Sequence, residues 1–447
     1  MGLAVTTQVF QKAIPKARWW RIIPPTVIIY LIAYMDRVNI GFAMAGGMNE
    51  ALKMSSGVAG LAAGIFFWGY LVLQFPAGHI AEHGGAKSYI TWAIVGWGGV
   101  SFLTGFVQNS TQLFIMRFLL GMTEGGVYTA ILMLIGKWFP QREFGRANAL
   151  FMLSLPLGAA LTNPISGFVV FHYNWRGLFF FEGIVSLALL AIWLPMISNC
   201  PEEAKWISTE EKEYLLTTIA KEKATAAVAA ANMKVGQVKW SYKQLLRDRN
   251  LWILIIVKVC ETSGTYGYLI FLPVLLKKLT HMNLISIGWL SSLPLVACMV
   301  GLYWFGALSD RKGNRRIWCA NGCWGFAIAL WLSTLFPQYV WFSYGLICLT
   351  GLFSKAVESP FWTMLPLVFQ PGYIGGATGI INGVGNFGGF IGPVLLGLLM
   401  TKSGSMILGI NCLAAIVAVG GLLTMLLPKV TAGFKYQELA KLAGKAG

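Results

Sequence analysis

Charge is scarce in this sequence: Asp, Glu, Lys and Arg together make up 11% of its 447 residues, against 56% that are hydrophobic. A water-soluble protein of this length needs far more charged surface, so the scarcity excludes a soluble globular chain. Histidine is nearly missing, with four in all. No Ser/His/Asp set, metal cluster or phosphate loop accompanies those four, which argues against an enzyme. The seven cysteines are odd in number and lack paired or metal-type spacing; Cys260, Cys298, Cys319, Cys323, Cys348 and Cys412 fall in or beside apolar runs and read as buried thiols. Cys319 and Cys323 lie four apart without a histidine partner and read as packing, so neither a metal nor a cofactor is expected. The first 18 residues are too polar for a cleavable signal peptide.

What is present in excess is apolar length. Stretches of about 20 mainly apolar residues, enough to cross roughly 30 Å of hydrocarbon, occur near 20–41, 57–80, 88–107, 111–137, 147–170 and 176–197, then near 251–276, 286–308, 317–335, 339–369, 375–400 and 405–427. Twelve spans in lipid must be helices, because no other open structure satisfies its own backbone there. The reading is therefore an all-α membrane protein of twelve transmembrane helices in two six-helix bundles. Its segments are an N-terminal stretch 1–19, a first bundle 20–197, a linker 198–250, a second bundle 251–427 and a tail 428–447.

The net charge of +17 is not a nucleic-acid footprint. Most basic residues fall on the side that carries the N-terminus, including Lys12, Lys16, Arg18 and Arg21 before the first span and Arg311, Lys312, Arg315 and Arg316 after the eighth. By the positive-inside rule both termini are cytoplasmic, and the expected location is the plasma membrane, a bacterial inner membrane. The linker carries Glu202, Glu203, Glu210, Glu211 and Glu213; its Ala-rich part, Lys221 to Ala231, reads as a tether in preference to a surface helix.

Two landmarks betray a duplication. Gly306-Ala-Leu-Ser-Asp310-Arg311-Lys-Gly313-Asn-Arg315-Arg316 answers Gly78-His-Ile-Ala-Glu82-His83-Gly-Gly85-Ala-Lys87 at an offset of 228 residues, and Pro393 answers Pro164 at 229. Ionisable residues inside the spans are costly and so face protein or water. They are Asp36 and Arg37 in the first span, Arg117 and Glu124 in the fourth, Glu182 in the sixth, Lys258 and Glu261 in the seventh, and Lys355 and Glu358 in the tenth. Arg117 and Glu124 share a helical face, as do Lys258 with Glu261 and Lys355 with Glu358. The two lysine pairs read as local neutralisation, the alternative being a second anion site. Arg37 points about 100° away from Asp36, leaving an unpaired guanidinium whose fork of donors suits a carboxylate. Desolvation penalises the charged forms of Asp36 and Glu124 while arginine favours them, a competition suited to loading and unloading protons.

A six-plus-six repeat with that Asp310-Arg311 loop resembles the major facilitator superfamily over essentially the whole chain. The resemblance implies that the first, fourth, seventh and tenth spans line a central cavity, and that Glu82, Asp310 and Arg311 form gating loops. More narrowly, Tyr34-Met35-Asp36-Arg37-Val38-Asn39-Ile40-Gly41 resembles a signature of the anion:cation symporter family. Further matches are Arg117 to Gly126, Trp138-Phe139-Pro140, Trp175-Arg176, Phe181-Glu182-Gly183, Pro360 to Pro366 and Asn382 to Pro393. This resemblance implies proton-coupled import of a small organic anion, with protons and that anion as the partners of a monomer in the bilayer. Asp36 and Glu124 would be the protonation sites, and Arg37, Tyr34 and Asn382 the substrate contacts, with Arg117 tuning Glu124.

Asn386 has two readings, substrate contact or interhelical bond, and Trp362 either stacks on substrate or packs. Leu155 stands where some sugar-acid transporters of the family place a polar amide. Lys258 and Lys355 are unusual for the family and fit a second carboxylate, with Glu261 and Glu358 as their counterions; Tyr266, Tyr268 and Trp362 keep aromatic acids compatible. Alternatives are a proton-coupled efflux antiporter, for which Gly158 to Gly167 is a degenerate glycine-proline match, and a transporter-like sensor.

Overall fold

The computed structural model describes residues 16–232, 242–369 and 373–428; Lys12 and nearly all of the predicted tail lie outside them. Every one of the twelve predicted spans coincides with helix. Nine stretches among the described residues are long and apolar enough to cross a membrane: Ala17–Ala45, Ser56–Gln74, Ser110–Trp138, Ala160–Met196, Arg249–Thr280, Leu284–Lys312, Val340–Val368, Ile374–Ser403 and Met406–Thr424. Ala160–Met196 holds parts of both the fifth and sixth spans, divided where Asn174 leaves the helical region at φ 60°. The third and ninth spans are the helices Ala86–Thr104 and Arg315–Leu332.

The duplication is visible in the helices themselves. The second span, Ser56–Gly84, and the eighth, Leu284–Lys312, are each 29 residues long. Ser55 caps one by accepting from the Val58 N–H, and Asn283 caps the other by accepting from the Ser286 N–H, satisfying amides that a helix start leaves free. Each then ends at a glycine of positive φ, Gly85 at 83° and Gly313 at 70°. Caps, glycines and helix ends all keep the offset of 228.

Six spans are interrupted among the described residues, the fifth at Leu153 and the sixth at Leu189 besides four more, and the interruptions of the first, fourth and tenth fall beside charged residues. The first breaks at Asn39 between Ala17–Val38 and Ile40–Ala45. The fourth breaks at Gly125 and Gly126, so that Glu124 ends Ser110–Glu124. Val357 divides Val340–Ala356 from Glu358–Val368, and Asn386 divides Ile374–Gly385 from Gly388–Ser403. Of these only Gly125 and Gly126 leave helical dihedrals, Gly126 at φ 85°; Asn39, Val357 and Asn386 stay in the right-handed helical region.

The halves are joined at the end of the bundle opposite the N-terminus. There Gly60 lies against Pro393 and Gly397, and Gly288 against Asn163 and Pro164, at positions 228 apart; a Cβ on Gly60 would sit 2.3 Å from the Pro393 carbonyl oxygen. Hydrogen bonds from the Gly57 amide to Thr401, from the Asn163 amide to the Ser291 carbonyl and from the Lys277 ammonium to the Ala45 carbonyl stitch the same end. One core cluster runs through both halves there, taking in Phe42, Met44 and Ala63 with Ile270, Leu272 and Leu396. A second cluster, from Ile22 to Leu215, is built from first-half and linker residues around the opposite end.

The linker departs from expectation. Lys221 to Ala231 is not a tether but part of the helix Thr209–Asn232. Ala, Glu and Lys are strong helix formers, and the helix is anchored at its start by buried Glu211 and Leu215. Arg18 donates to Glu211 at 2.5 Å and to Glu143 at 2.6 Å, pinning the helix to the start of the first span and to the beginning of the fifth.

Candidate functional site

Besides Arg18 at the start of the first helix, five charge-bearing side chains are buried within the described spans of the first half: Asp36, Arg37, Arg117, Glu124 and Glu182. Asp36 and Arg37 share a turn yet leave it in different directions. Asp36 turns toward its own half, accepting from the Ser101 hydroxyl at 2.6 Å and the Ser186 hydroxyl at 3.3 Å. Arg37 is not left unpaired. Its Nη2 lies 3.3 Å from the Glu124 carboxylate, and its guanidinium sits over the rings of Tyr70, Phe66 and Tyr34 at 4.8, 5.3 and 5.8 Å. The pairing crosses from the first span to the fourth, which local spacing could not reveal. The engagement is single, since Arg37 Nε and one Glu124 oxygen have no hydrogen-bond partner among the described residues.

Arg117 shares a helical face with Glu124 but spends its hydrogen bonds on the backbone, donating to the carbonyls of Asp36 and Arg37 at 3.1 and 3.4 Å. Arg117 thereby holds the fourth span against the first, within one turn of Asn39.

In the second half the two lysine pairs fuse into one network. Lys258 donates to Glu261 at 2.8 Å and to Glu358 at 2.9 Å, and Lys355 donates to the same Glu358 oxygen at 2.9 Å. The other Glu358 oxygen accepts from the Trp362 indole at 2.7 Å, and Glu261 accepts from the Thr265 hydroxyl. Two cations thus face two anions, and the network ties the seventh span to the tenth. Trp362 is held by Glu358 and also lies beneath the Lys258 ammonium at 5.5 Å.

Tyr266 stands between the clusters: its ring meets Phe67 edge-on at 4.6 Å, and its phenol lies in the electrostatic reach of Tyr34, Arg37 and Lys355. The structure therefore brings Tyr34, Arg37, Tyr266 and Lys355 to one place. Asn382 and Asn386 are half-buried on the eleventh span, whose Gly385 packs on the Lys258 stem. Neither asparagine side chain bonds a described residue.

The gating residues lie elsewhere. Asp310 pairs with Arg315 of its own loop at 3.1 Å, while Arg311 is exposed. Arg316 reaches the carbonyls of Met425 and Leu427, past the end of the twelfth span. The side chains of Glu82 and His83 lie outside the described ones. Site members that the sequence did not single out are Tyr70, Phe66, Ser101 and Ser186. Tyrosine, phenylalanine and serine are ordinary span residues, and nothing in their spacing distinguishes them.

The Major Facilitator Superfamily matches residues 26–393 and, in a second match, 259–442. A putative tartrate transporter of Agrobacterium vitis is 32% identical over 92% of this chain and 90% of its own. A quinolone resistance transporter of Acinetobacter baumannii is 30% identical over 93% of this chain and 95% of its own. Among solved structures, a bacterial homologue of the human lysosomal transporter Spinster superposes with a TM-score of 0.75 at 12% identity, covering 92% of this chain and 97% of that one.

Proposed function

Because the chain belongs to the Major Facilitator Superfamily and is a multi-pass membrane transporter, we propose that it imports a small organic carboxylate together with protons by alternating access. In this reading it works as a monomer in the inner membrane, with both termini cytoplasmic and two six-helix domains flanking the linker at 198–250. The observation that carries the reading is the single bond between Arg37 and Glu124 inside the ring of Tyr34, Phe66 and Tyr70. A buried guanidinium that meets its carboxylate through one nitrogen, with Nε unpartnered among the described residues, keeps a donor for a planar anion. When Glu124 takes a proton, Arg37 loses its counterion and a substrate carboxylate replaces it. Anion and proton then enter the site together, and a downhill proton drives uphill anion uptake.

The neutral network of Lys258, Lys355, Glu261 and Glu358 supports the reading of these residues as a structural cross-link between spans, with Trp362 and Tyr266 presenting apolar surface to the substrate. The tartrate relative supports a small hydroxy-acid or dicarboxylate as cargo.

A second reading, proton-coupled efflux, is favoured by the relative described as a quinolone resistance transporter. Uptake into proteoliposomes of tartrates, sugar acids, aromatic acids and dicarboxylates separates the two. An inward proton gradient should drive accumulation of one carboxylate class, and a proton ionophore should abolish it. A blank across that panel, with extrusion of a fluoroquinolone instead, overturns import and establishes efflux.

A further inference from the structure

Arg18 being occupied by Glu143 and Glu211, the charges buried within the first-half spans do not balance. Three carboxyls, Asp36, Glu124 and Glu182, face two guanidiniums, Arg37 and Arg117, and all five are at least nine-tenths buried. The second-half network is balanced, two lysines against two glutamates, and so lends no spare cation. An uncompensated carboxylate in such a place is costly enough that one of the three must hold a proton.

The contacts say which one. Glu124 is paired with Arg37. Asp36 accepts two serine hydroxyls. Glu182, 1% exposed, has no donor on either oxygen among the described residues. Its neighbour is the Asp36 carboxyl, with Arg117 and Glu124 also in its field. Two carboxyls side by side repel unless a proton lies between them, and Asp36, already supplied with donors, is the acceptor of the two.

We propose that Glu182 is a further proton-holding residue of the transporter, donating its carboxyl hydrogen to Asp36, so that the two form a buried carboxylic-acid pair behind the first span. The inference rests on the proton-symport reading only for its use in transport. Where the resident proton sits is independent of it. Asp36 then stays charged toward Ser101, Ser186 and Arg117, and Glu182 is the neutral partner that releases its proton only when that arrangement opens.

Infrared difference spectroscopy on the purified full-length protein reads the protonated carboxyl directly through its C=O stretch. The comparison is made between the wild type and E182D, each grown with glutamate or with aspartate carrying 13C at the side-chain carboxyl, so that three carboxyls still face two guanidiniums. At neutral pH the glutamate label should move the wild-type band. In E182D the band should ignore that label and move with labelled aspartate instead. A wild-type band that ignores the glutamate label, or an E182D band that still follows it, overturns the assignment. Substrate counterflow by E182Q in liposomes tests folding and transport separately: wild-type protein without proton-driven uptake would sink the symport reading and leave the infrared result standing.

Discussion

Lys258 offers the sharpest quantitative test of how the second half holds its charges. The ammonium is 5% exposed and donates to Glu261 and Glu358 at 2.8 and 2.9 Å. At an effective dielectric constant of about 20, unit charges about 3 Å apart attract by about 5 kcal/mol, and each ion loses several kcal/mol of hydration on burial. The two nearly cancel while the network is complete. K258M removes the attraction but leaves Glu261 buried, with Thr265 and a Lys355 ammonium 3.9 Å away as its remaining support. The expected cost is about 3–5 kcal/mol, the range for breaking a buried pair from one side. K258M/E261Q leaves Lys355 facing Glu358, a neutral remainder, so the double variant should recover much of the loss, with a coupling energy of about 2–3 kcal/mol. Reversible unfolding in mixed micelles, extrapolated linearly to zero denaturant, measures all four corners of the cycle. Substrate KM should be the same in the double variant and the wild type. Additive costs would refute the closed network, and a KM raised tenfold in the double variant would show that Lys258 binds substrate.

R37K keeps the charge at the centre of the site but loses the planar fork, so affinity for the transported anion should fall about tenfold to a hundredfold in a thermal-shift titration; unchanged affinity would remove Arg37 from recognition. G60V places a side chain against the Pro393 carbonyl, where a Cβ already falls at 2.3 Å, and should prise open the end at which the halves meet. Spin labels at Lys53→Cys and Lys402→Cys should then report a longer distance than in the Gly60 protein, and an unchanged distribution would refute that close packing. R18M strands Glu143 and Glu211 without their shared cation. It should cost about 3–5 kcal/mol and speed hydrogen exchange in Thr209–Asn232, with R18M/E211Q restoring part of the protection; exchange as slow as in wild type would show that Arg18 does not dock the helix.

Much of the fold was legible because the bilayer acts on each span separately. Every span must satisfy its own backbone and present apolar side chains, so length and composition alone placed all twelve, and the landmarks of the duplication reappear as helix caps and ends 228 residues apart. The same cost of burying charge picked out Asp36, Arg37, Arg117, Glu124, Glu182, Lys258, Glu261, Lys355 and Glu358 as the residues to watch. Partnership was another matter. Spacing along one helix suggested Arg117 with Glu124 and isolated lysine pairs, whereas the structure joins Arg37 to Glu124, sends Arg117 to backbone carbonyls and shares Glu358 between Lys258 and Lys355. The linker helix likewise depends on Glu211 meeting an arginine 193 residues away. Hydrophobicity and helix length are properties of consecutive residues. Which charge meets which depends on how each helix is rotated against the others, and only the packed bundle sets that.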